Sequence, residues 1–356
     1  MPDSMSYKIK SNCLKFSPLL IFLLLLQPVR AQYSFAAVDE LLTKNQKLMG
    51  GDIIAMIYKD GKLVYNKQLN KEFTVKIQAP IAASSAWLTV ALAMIFVEEG
   101  KISLDDPVSK YIPIFTSYSK KYITIRNCLA HTTGIHADEP GLKAVLQNRK
   151  YATLEEEVNS FAKREIERNP GEMFFFSNIG INTVGRILEI VSKKAFDRLI
   201  SDKLLRPLKM RQTTFYIDFD KSFNPSGGAL STANDYINFL SMLLNKGMFE
   251  GKRILSEKSI AEMQKVQTGT AVIKYQPAIT LGYGYGLGQW IRDKDATGAG
   301  TVLTVPGLYG AYPYIDYCRG YACLIFTKEL GNEQKKELYD TLKDAIDAQI
   351  SSNCKP

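Results

Sequence analysis

Hydrophobic and polar residues are arranged so that strands are predicted near both chain ends and helices in the middle. Residues 52–58 and 62–69 are rich in β-forming residues and flank a Lys-Asp-Gly turn, which predicts a hairpin. Residues 84–99 follow as a long helical segment, apolar on most faces from residue 88 to residue 97. We therefore predict a buried helix there, ended by a left-handed cap at Gly100.

The remaining segments complete an α+β pattern. Helical periodicity with polar faces covers three segments, residues 153–167, 178–193 and 234–246. Residues 301–317 and 321–327 are typical of strands, and an amphipathic helix is predicted from Glu333 onward. This order predicts an antiparallel sheet assembled from both chain ends, flanked by helices, with a helical region inserted between them.

The first 31 residues are typical of a secretory signal peptide. Lysines precede a short apolar run at residues 19–26, and Val29 and Ala31 supply the small residues that a signal peptidase reads. A transmembrane helix needs about 20 apolar residues. We therefore predict cleavage before Gln32, export to the periplasm or the medium, and no stable membrane insertion afterwards. The alternative is a membrane anchor.

Composition narrows the class of protein. The chain has 356 residues, 46% hydrophobic and 23% charged, which are globular values. Its net charge of +9 is accompanied by no nucleic-acid recognition motif, so we predict no nucleic-acid partner.

Cysteine and histidine are sparse. Cys318 and Cys323 flank a four-residue loop, so they are either joined by a disulfide or are two buried thiols. His131 and His136 are the only histidines, and no ligand cluster accompanies them, so no metal and no cofactor is predicted. We expect His131 to order its loop through hydrogen bonds. The alternative is a role in a Ser-His-Asp triad.

Six local patterns occur in a fixed order along the chain. They occupy residues 81–108, 123–135, 170–178, 206–210, 227–235 and 285–288. They resemble, in turn, the S-x-x-K segment, "lixxLLsHTSGl", "PGxxfxYSN", "xPLGM", "aGGlxSTaxDxxxF" and "yGLG" of the serine β-lactamase-related, penicillin-binding-protein-like hydrolases. The resemblance covers roughly residues 40–350. It implies a β-lactamase/transpeptidase-like domain over residues 32–356, with an α/β part near residues 35–100 and 280–350 and a helical region near residues 101–279.

The resemblance also implies a catalytic serine, a lysine one helical turn later, and a tyrosine that shuttles the proton. In this sequence Ala83 stands at the serine position, Ala86 at the lysine position and Phe176 at the tyrosine position. Asn178 of the tyrosine motif is retained. The third motif, which carries a basic residue or Thr/Ser before a glycine, reads Val-Pro-Gly and ends in Pro306 and Gly307. Asn178, Pro306 and Gly307 are the predicted ligand-binding residues.

A neighbouring serine is a poor substitute for the missing nucleophile. Ser84 and Ser85 follow Ala83, but each helical residue is rotated by about 100° from the one before it. Three residues further on stand Trp87 and Leu88, so neither serine has a lysine one turn away.

Three hypotheses follow. The first is an exported, non-hydrolysing family member that binds a small-molecule, peptide, acyl or wall-derived ligand. The second is an active serine hydrolase of the esterase, D-peptidase or β-lactamase type with a rearranged site. The third is a purely structural exported protein.

Overall fold

The computed structural model describes residue 3 and residues 33–137, 151–215, 222–330 and 335–354. Apart from Asp3, the predicted signal peptide and its cleavage site lie outside these residues, as does Glu333. Within these ranges, no helix is long and apolar enough to cross a membrane.

A seven-stranded antiparallel sheet takes its strands from both ends of the chain. The strands, in chain order, are β1 (Ile54–Lys59), β2 (Lys62–Gln68), β9 (Gly284–Tyr285), β10 (Trp290–Lys294), β11 (Gly300–Thr304), β12 (Tyr312–Asp316) and β13 (Tyr321–Phe326). Their order across the sheet is β2-β1-β13-β12-β11-β10-β9. Strand β1 pairs with β13, with Ile54 opposite Phe326. The predicted fold class is confirmed.

The predicted N-terminal hairpin forms where expected. Asp60 and Gly61 connect β1 to β2 with φ angles of 51° and 78°. Two successive left-handed residues are typical of a type I′ turn, whose twist matches that of the flanking strands.

Helix α2 (Ser84–Glu98) is buried on almost every face, since 13 of its 15 residues are buried. It ends as predicted at Gly100, whose φ is 66°. The N–H of Lys101 donates to the Phe96 carbonyl oxygen at 3.0 Å, and the N–H of Gly100 donates to that of Val97 at 3.0 Å. These two bonds form a Schellman motif, which satisfies carbonyl groups at the helix end.

Most of the regular secondary structure described in the middle of the chain is helical. Its helices are α3 (Ile114–Ser117), α4 (Ile125–Leu129), α5 (Leu154–Ala162), α6 (Ile179–Ser192), α7 (Phe196–Ile200), α8 (Ala233–Leu244) and α9 (Glu257–Met263). Short strands pair as β3 (Ala79–Pro80) with β5 (Leu230–Ser231), β4 (Met173–Phe175) with β8 (Val272–Tyr275), and β6 (Met248–Phe249) with β7 (Lys252–Arg253). Helix α5 ends before residue 167, the predicted limit, because Ile166 forms a bridge with Ile135.

Two terminal helices, α1 (Ala36–Lys44) and α10 (Lys336–Asp347), contact each other. The buried residues of α10 include Lys343, whose ammonium lies 2.9 Å from Asp316 and 2.6 Å from Asp347. Buried charges are tolerated when they are paired in this way.

Neither alternative for Cys318 and Cys323, a disulfide between them or two buried thiols, is correct, because Cys318 bonds to Cys354. Cys323 lies inside β13 as a buried free thiol, opposite Tyr314 of β12. The C-terminal segment returns to the β12–β13 turn, where the N–H of Asn353 donates to the Cys318 carbonyl at 2.7 Å. Loop spacing alone does not indicate this return of the chain end.

Candidate active site

The start of α2 is held by a strained turn. Strand β3 leads into Ala82, whose φ is 43°, and Ala83 follows as the N-cap of α2 with no side-chain cap. Left-handed backbone costs a residue with a Cβ about 1–2 kcal/mol, and such strain is concentrated at functional sites. Ala83 is partly exposed, whereas Ala86, one turn along the helix, is 2% exposed.

The two serines after Ala83 have structural partners. The hydroxyl of Ser84 donates to the Val305 carbonyl oxygen at 2.6 Å, and the hydroxyl of Ser85 accepts from the Ala229 N–H at 3.0 Å. Both residues are completely buried. Their side chains therefore join α2 to the end of β11 and to the segment before β5.

Gly307 lies against the start of α2. A Cβ added to Gly307 would be 2.3 Å from the Ile81 carbonyl oxygen and 3.3 Å from the Ser84 hydroxyl oxygen. The N–H of Gly307 donates to the Ala311 carbonyl at 2.7 Å, which fixes the loop after β11. Pro306, beside it, is also buried. A residue without a side chain is required here because two backbones approach closely.

Phe176 packs in an aromatic cluster. Its ring centroid lies 4.8 Å from that of His131, 5.3 Å from that of Trp290 and 6.2 Å from that of Tyr285. Its N–H donates to the Tyr275 carbonyl at 3.1 Å, which ties it to the end of β8. The tyrosine position of the motif is therefore held by backbone pairing and ring contacts.

His131 is a structural residue of this cluster. Its Nε2 lies 3.0 Å from the Tyr285 hydroxyl, and its carbonyl accepts the Phe175 N–H at 3.0 Å. The side chain is 4% exposed, and burial lowers the pKa of His131 to about 3. It is therefore neutral at pH 7 and orders its loop by hydrogen bonding, as expected from the sequence.

Asn178 is exposed, and its side chain bonds to a polar network with buried members, Glu157 and Asn182, that the sequence did not suggest. Its side-chain amide donates to Glu157 at 3.1 Å, and the amide of Asn182 donates to the same carboxylate at 3.3 Å. The Asn182 side-chain oxygen accepts the Ser226 N–H at 3.0 Å. Asn178 and Asn182 are four residues apart and share a face of α6, which is the one signal in the sequence for this pairing.

Two glycines link α2 to the polar network around Asn178 and to the aromatic cluster around Phe176. Gly227 follows Ser226, and a Cβ on Gly227 would lie 3.8 Å from the Ala82 carbonyl carbon. Gly288, between Tyr285 and Trp290, lies against Val90 of α2, one turn from Ala86. The start of α2 thus carries Ala83 and Ala86 and is bordered by Pro306 and Gly307. Phe176 and Asn178 lie on adjoining segments. A single cavity shared by Ala83 and Phe176 stays a prediction.

The side chains at the three predicted motif positions carry no hydroxyl, amine or phenol group. Positions 83 and 86 carry methyl groups and position 176 carries a phenyl ring. Burial raises the pKa of the Tyr285 phenol well above its usual range, so it stays protonated. Within residues 33–137, 151–215, 222–330 and 335–354, no group of three or more His, Cys, Asp or Glu side chains could hold a metal ion.

Comparison with known proteins gives the family. The Beta-lactamase family model matches residues 44–347. "Protein flp" of Staphylococcus aureus strain MW2 is 32% identical over 170 residues, which are 45% of this chain and 34% of that protein. The chain therefore spans about a third of the length of this curated relative.

Solved structures agree with that match. A candidate beta-lactamase of Bacteroides dorei aligns with a TM-score of 0.78 and 25% identity, covering 88% of this chain and 99% of that one. The octameric penicillin-binding protein homologue of Pyrococcus abyssi aligns with a TM-score of 0.70 and 23% identity, covering 88% and 78%. Because the family model covers most of the chain, this protein belongs to the beta-lactamase family.

Proposed function

We propose that the protein is an exported, non-hydrolysing member of the beta-lactamase family that binds a small acyl, peptide or wall-derived ligand. One observation carries the proposal. Ala83 occupies the N-cap of α2, directly after the strained Ala82, where the resemblance assigns the nucleophile. The methyl group of Ala83 has no oxygen to acylate, and Ala86 has no amine to accept a proton.

The alternative is an active hydrolase that uses a neighbouring serine. The buried hydroxyls of Ser84 and Ser85 weigh against it, since each already bonds to backbone. Either serine would have to break its bond and rotate before it could attack a carbonyl carbon. Neither has a lysine one turn later to accept its proton.

Ligand binding does not depend on the three lost side chains. The strained turn at Ala82 and the close packing of Gly307 on Ile81 are features of the backbone, so they do not require those side chains. Backbone strain such as that at Ala82 is concentrated at functional sites, where the surrounding structure holds the site in shape.

Export is supported by two features. The first 31 residues are typical of a signal peptide, and Cys318 and Cys354 form a disulfide, a bond that persists in oxidising compartments. N-terminal sequencing of the secreted protein should begin near Gln32. Exported protein that begins at Met1 would contradict cleavage.

Active-site labelling tests the proposal. The purified chain should form no covalent adduct with a fluorescent penicillin or a fluorophosphonate, and Ser84→Ala and Ser85→Ala should behave alike. Strong labelling of the native chain that disappears in one of these variants would identify that serine as a nucleophile and overturn the proposal.

A further inference from the structure

A cavity of about 590 Å³ lies beside the end of α6. Its lining comes from three segments, within residues 193–198, 201–206 and 213–215. Cavities that bind small molecules in proteins typically have volumes of about 300–1,000 Å³. Among the described residues that line this cavity, none is a predicted site residue. The cavity is therefore separate from the candidate active site.

The wall of the cavity carries more positive than negative charge. Among the described residues, four cationic side chains and two carboxylates line it, which leaves a formal charge of +2. The cations are Lys193, Lys194, Arg198 and Arg206, and the carboxylates are Asp197 and Asp202. Asp202 already has partners, since its carboxylate lies 2.9 Å from the Lys194 ammonium and 3.1 Å from the Arg206 guanidinium. The hydrogen bond from Lys194 lowers the pKa of Asp202, so this carboxylate is ionised at pH 7.

Lys193 and Arg198 are the two cations of this wall that lack an ion-pair partner. In the described parts of the chain, neither forms an ion pair or a side-chain hydrogen bond, and both side chains are exposed. Arg198 attracts Asp202 only at longer range, as the weakest of the forces that lower the pKa of that carboxyl. A guanidinium donates two parallel hydrogen bonds to a phosphate, and an ammonium binds it as a compact positive charge. An anion with two negative charges would supply what these two side chains lack.

Part of the cavity lining is apolar and buried. Leu205 and Phe215 are each 2% exposed, and the Phe215 ring packs edge-on against Phe196 with ring centroids 5.2 Å apart. Thr213, which is also buried there, already donates to Asp235 at 2.9 Å. Sites for small molecules combine an apolar lining with a few polar groups that fix the orientation of the ligand. The apolar residues therefore favour a ligand with an organic part over a free inorganic ion.

We propose that this cavity binds a phosphate monoester. Lys193 and Arg198 hold the phosphate group, and the organic part lies against Leu205 and Phe215. A phosphate monoester carries a charge of about −1.5 to −2 at pH 7, which matches the two unpaired cations. Sugar phosphates and lipids with a terminal phosphate share this chemistry. The inference does not depend on the proposed function, because no residue around Ala83 takes part in it.

Calorimetric titration of the purified chain at about 0.15 M salt tests the inference, since distant charges are largely screened there. The probes are glucose 6-phosphate, glucose 6-sulfate and glucose. The sulfate ester has nearly the same shape as the phosphate ester but only one negative charge. We expect glucose 6-phosphate to bind about tenfold more tightly than glucose 6-sulfate. Glucose should show no binding.

Substitutions that remove one charge each locate the site. Lys193→Gln and Arg198→Gln should each weaken binding of glucose 6-phosphate about tenfold, the effect of losing one hydrogen bond to a charged group. Arg211→Gln and Lys258→Gln are the matched controls, because they remove the same charges from exposed side chains outside the cavity lining. The controls should change the affinity by less than about twofold. Asp197→Asn removes a negative charge from the wall and should strengthen binding about two- to fivefold. Thermal unfolding should show all five variants folded.

Vesicles of phosphatidylcholine with and without phosphatidic acid distinguish a lipid from a soluble ligand. Sedimentation of the chain with the phosphatidic acid vesicles, abolished by Arg198→Gln, would support the inference and identify a lipid headgroup as the source of the phosphate. Binding of glucose 6-phosphate without binding to these vesicles would support it and identify a soluble phosphate ester.

Other outcomes would overturn the inference. These are binding of neither glucose 6-phosphate nor the phosphatidic acid vesicles, equal affinity for the phosphate and sulfate esters, equal effects of the cavity and control variants, or weaker binding by Asp197→Asn. None of these results would affect the claim that the chain does not hydrolyse. Fluorophosphonate labelling of the native chain would overturn that claim whatever the cavity variants do.

Discussion

Replacing Gly307 with alanine should destabilise the protein more than an ordinary glycine substitution does. The new Cβ would lie 2.3 Å from the Ile81 carbonyl oxygen, whereas ordinary contact begins near 3.4 Å, so backbone must move by about 1 Å. Both backbones are already fixed. Ile81 donates to Ala229 at 3.0 Å and Gly307 donates to Ala311 at 2.7 Å. Overpacking typically costs about 1–3 kcal/mol, and the clash of two backbones favours the upper end of that range.

Urea unfolding followed by circular dichroism measures this cost. Gly269→Ala is the matched control, because a Cβ on Gly269 meets nothing within 4 Å. It should change the free energy of unfolding by less than about 1 kcal/mol. If Gly307→Ala and Gly269→Ala unfold at the same urea concentration with the same slope, the loop after β11 does not pack on α2, and the geometry of the site is wrong.

Three other predictions concern groups around the site and the C-terminus. Folded His131 stays neutral below pH 6.5, where the unfolded chain binds a proton, so the free energy of unfolding falls by about 1.4 kcal/mol per pH unit as the pH drops from 6.5 toward 3. Between pH 7 and pH 5 the native protein should lose about 2 kcal/mol more unfolding free energy than His131→Gln, and equal losses would contradict a buried neutral imidazole. Cys318 and Cys354 are 36 residues apart, so replacing both with alanine should lower the free energy of unfolding by about 4 kcal/mol. Peptide mapping that finds Cys318 bonded to any other cysteine would exclude this pairing. Ser84→Ala leaves the Val305 carbonyl unpaired in the core and should cost about 1–3 kcal/mol in thermal unfolding, whereas a change under about 0.5 kcal/mol would mean that this hydrogen bond is absent.

Local sequence patterns predicted those parts of the fold that local physics decides. The uninterrupted apolar segment of α2 has no polar face to present to water, so its burial could be predicted. Asp60 and Gly61 tolerate the left-handed backbone of a tight turn, which predicted the hairpin. Motif order then placed Ala83, Ala86 and Phe176 along the chain before any contact was known.

Long-range contacts could not be predicted in the same way. Glu157 accepts bonds from Asn178 and Asn182, but one of three successive glutamates on a helix with a polar face is typical of a solvated residue. Nothing in the spacing of the cysteines indicates that Cys354 returns to Cys318. The need for glycine at Gly307 depends on the approach of Ile81, which lies more than 200 residues earlier in the sequence.

Restoring the three reactive side chains tests the central claim most directly. The variant Ala83→Ser, Ala86→Lys, Phe176→Tyr supplies the nucleophile, its base and the proton shuttle at the positions that the family motifs assign. Such groups act as a unit, and loss of the nucleophile alone can cost about 10⁶ in kcat. We therefore expect fluorophosphonate labelling or ester hydrolysis in the triple variant, while the native chain and each single restoration stay at background. A folded triple variant that stays unlabelled, beside a native chain that labels, would contradict the assignment of Ala83, Ala86 and Phe176 and with it the account of a non-hydrolysing site.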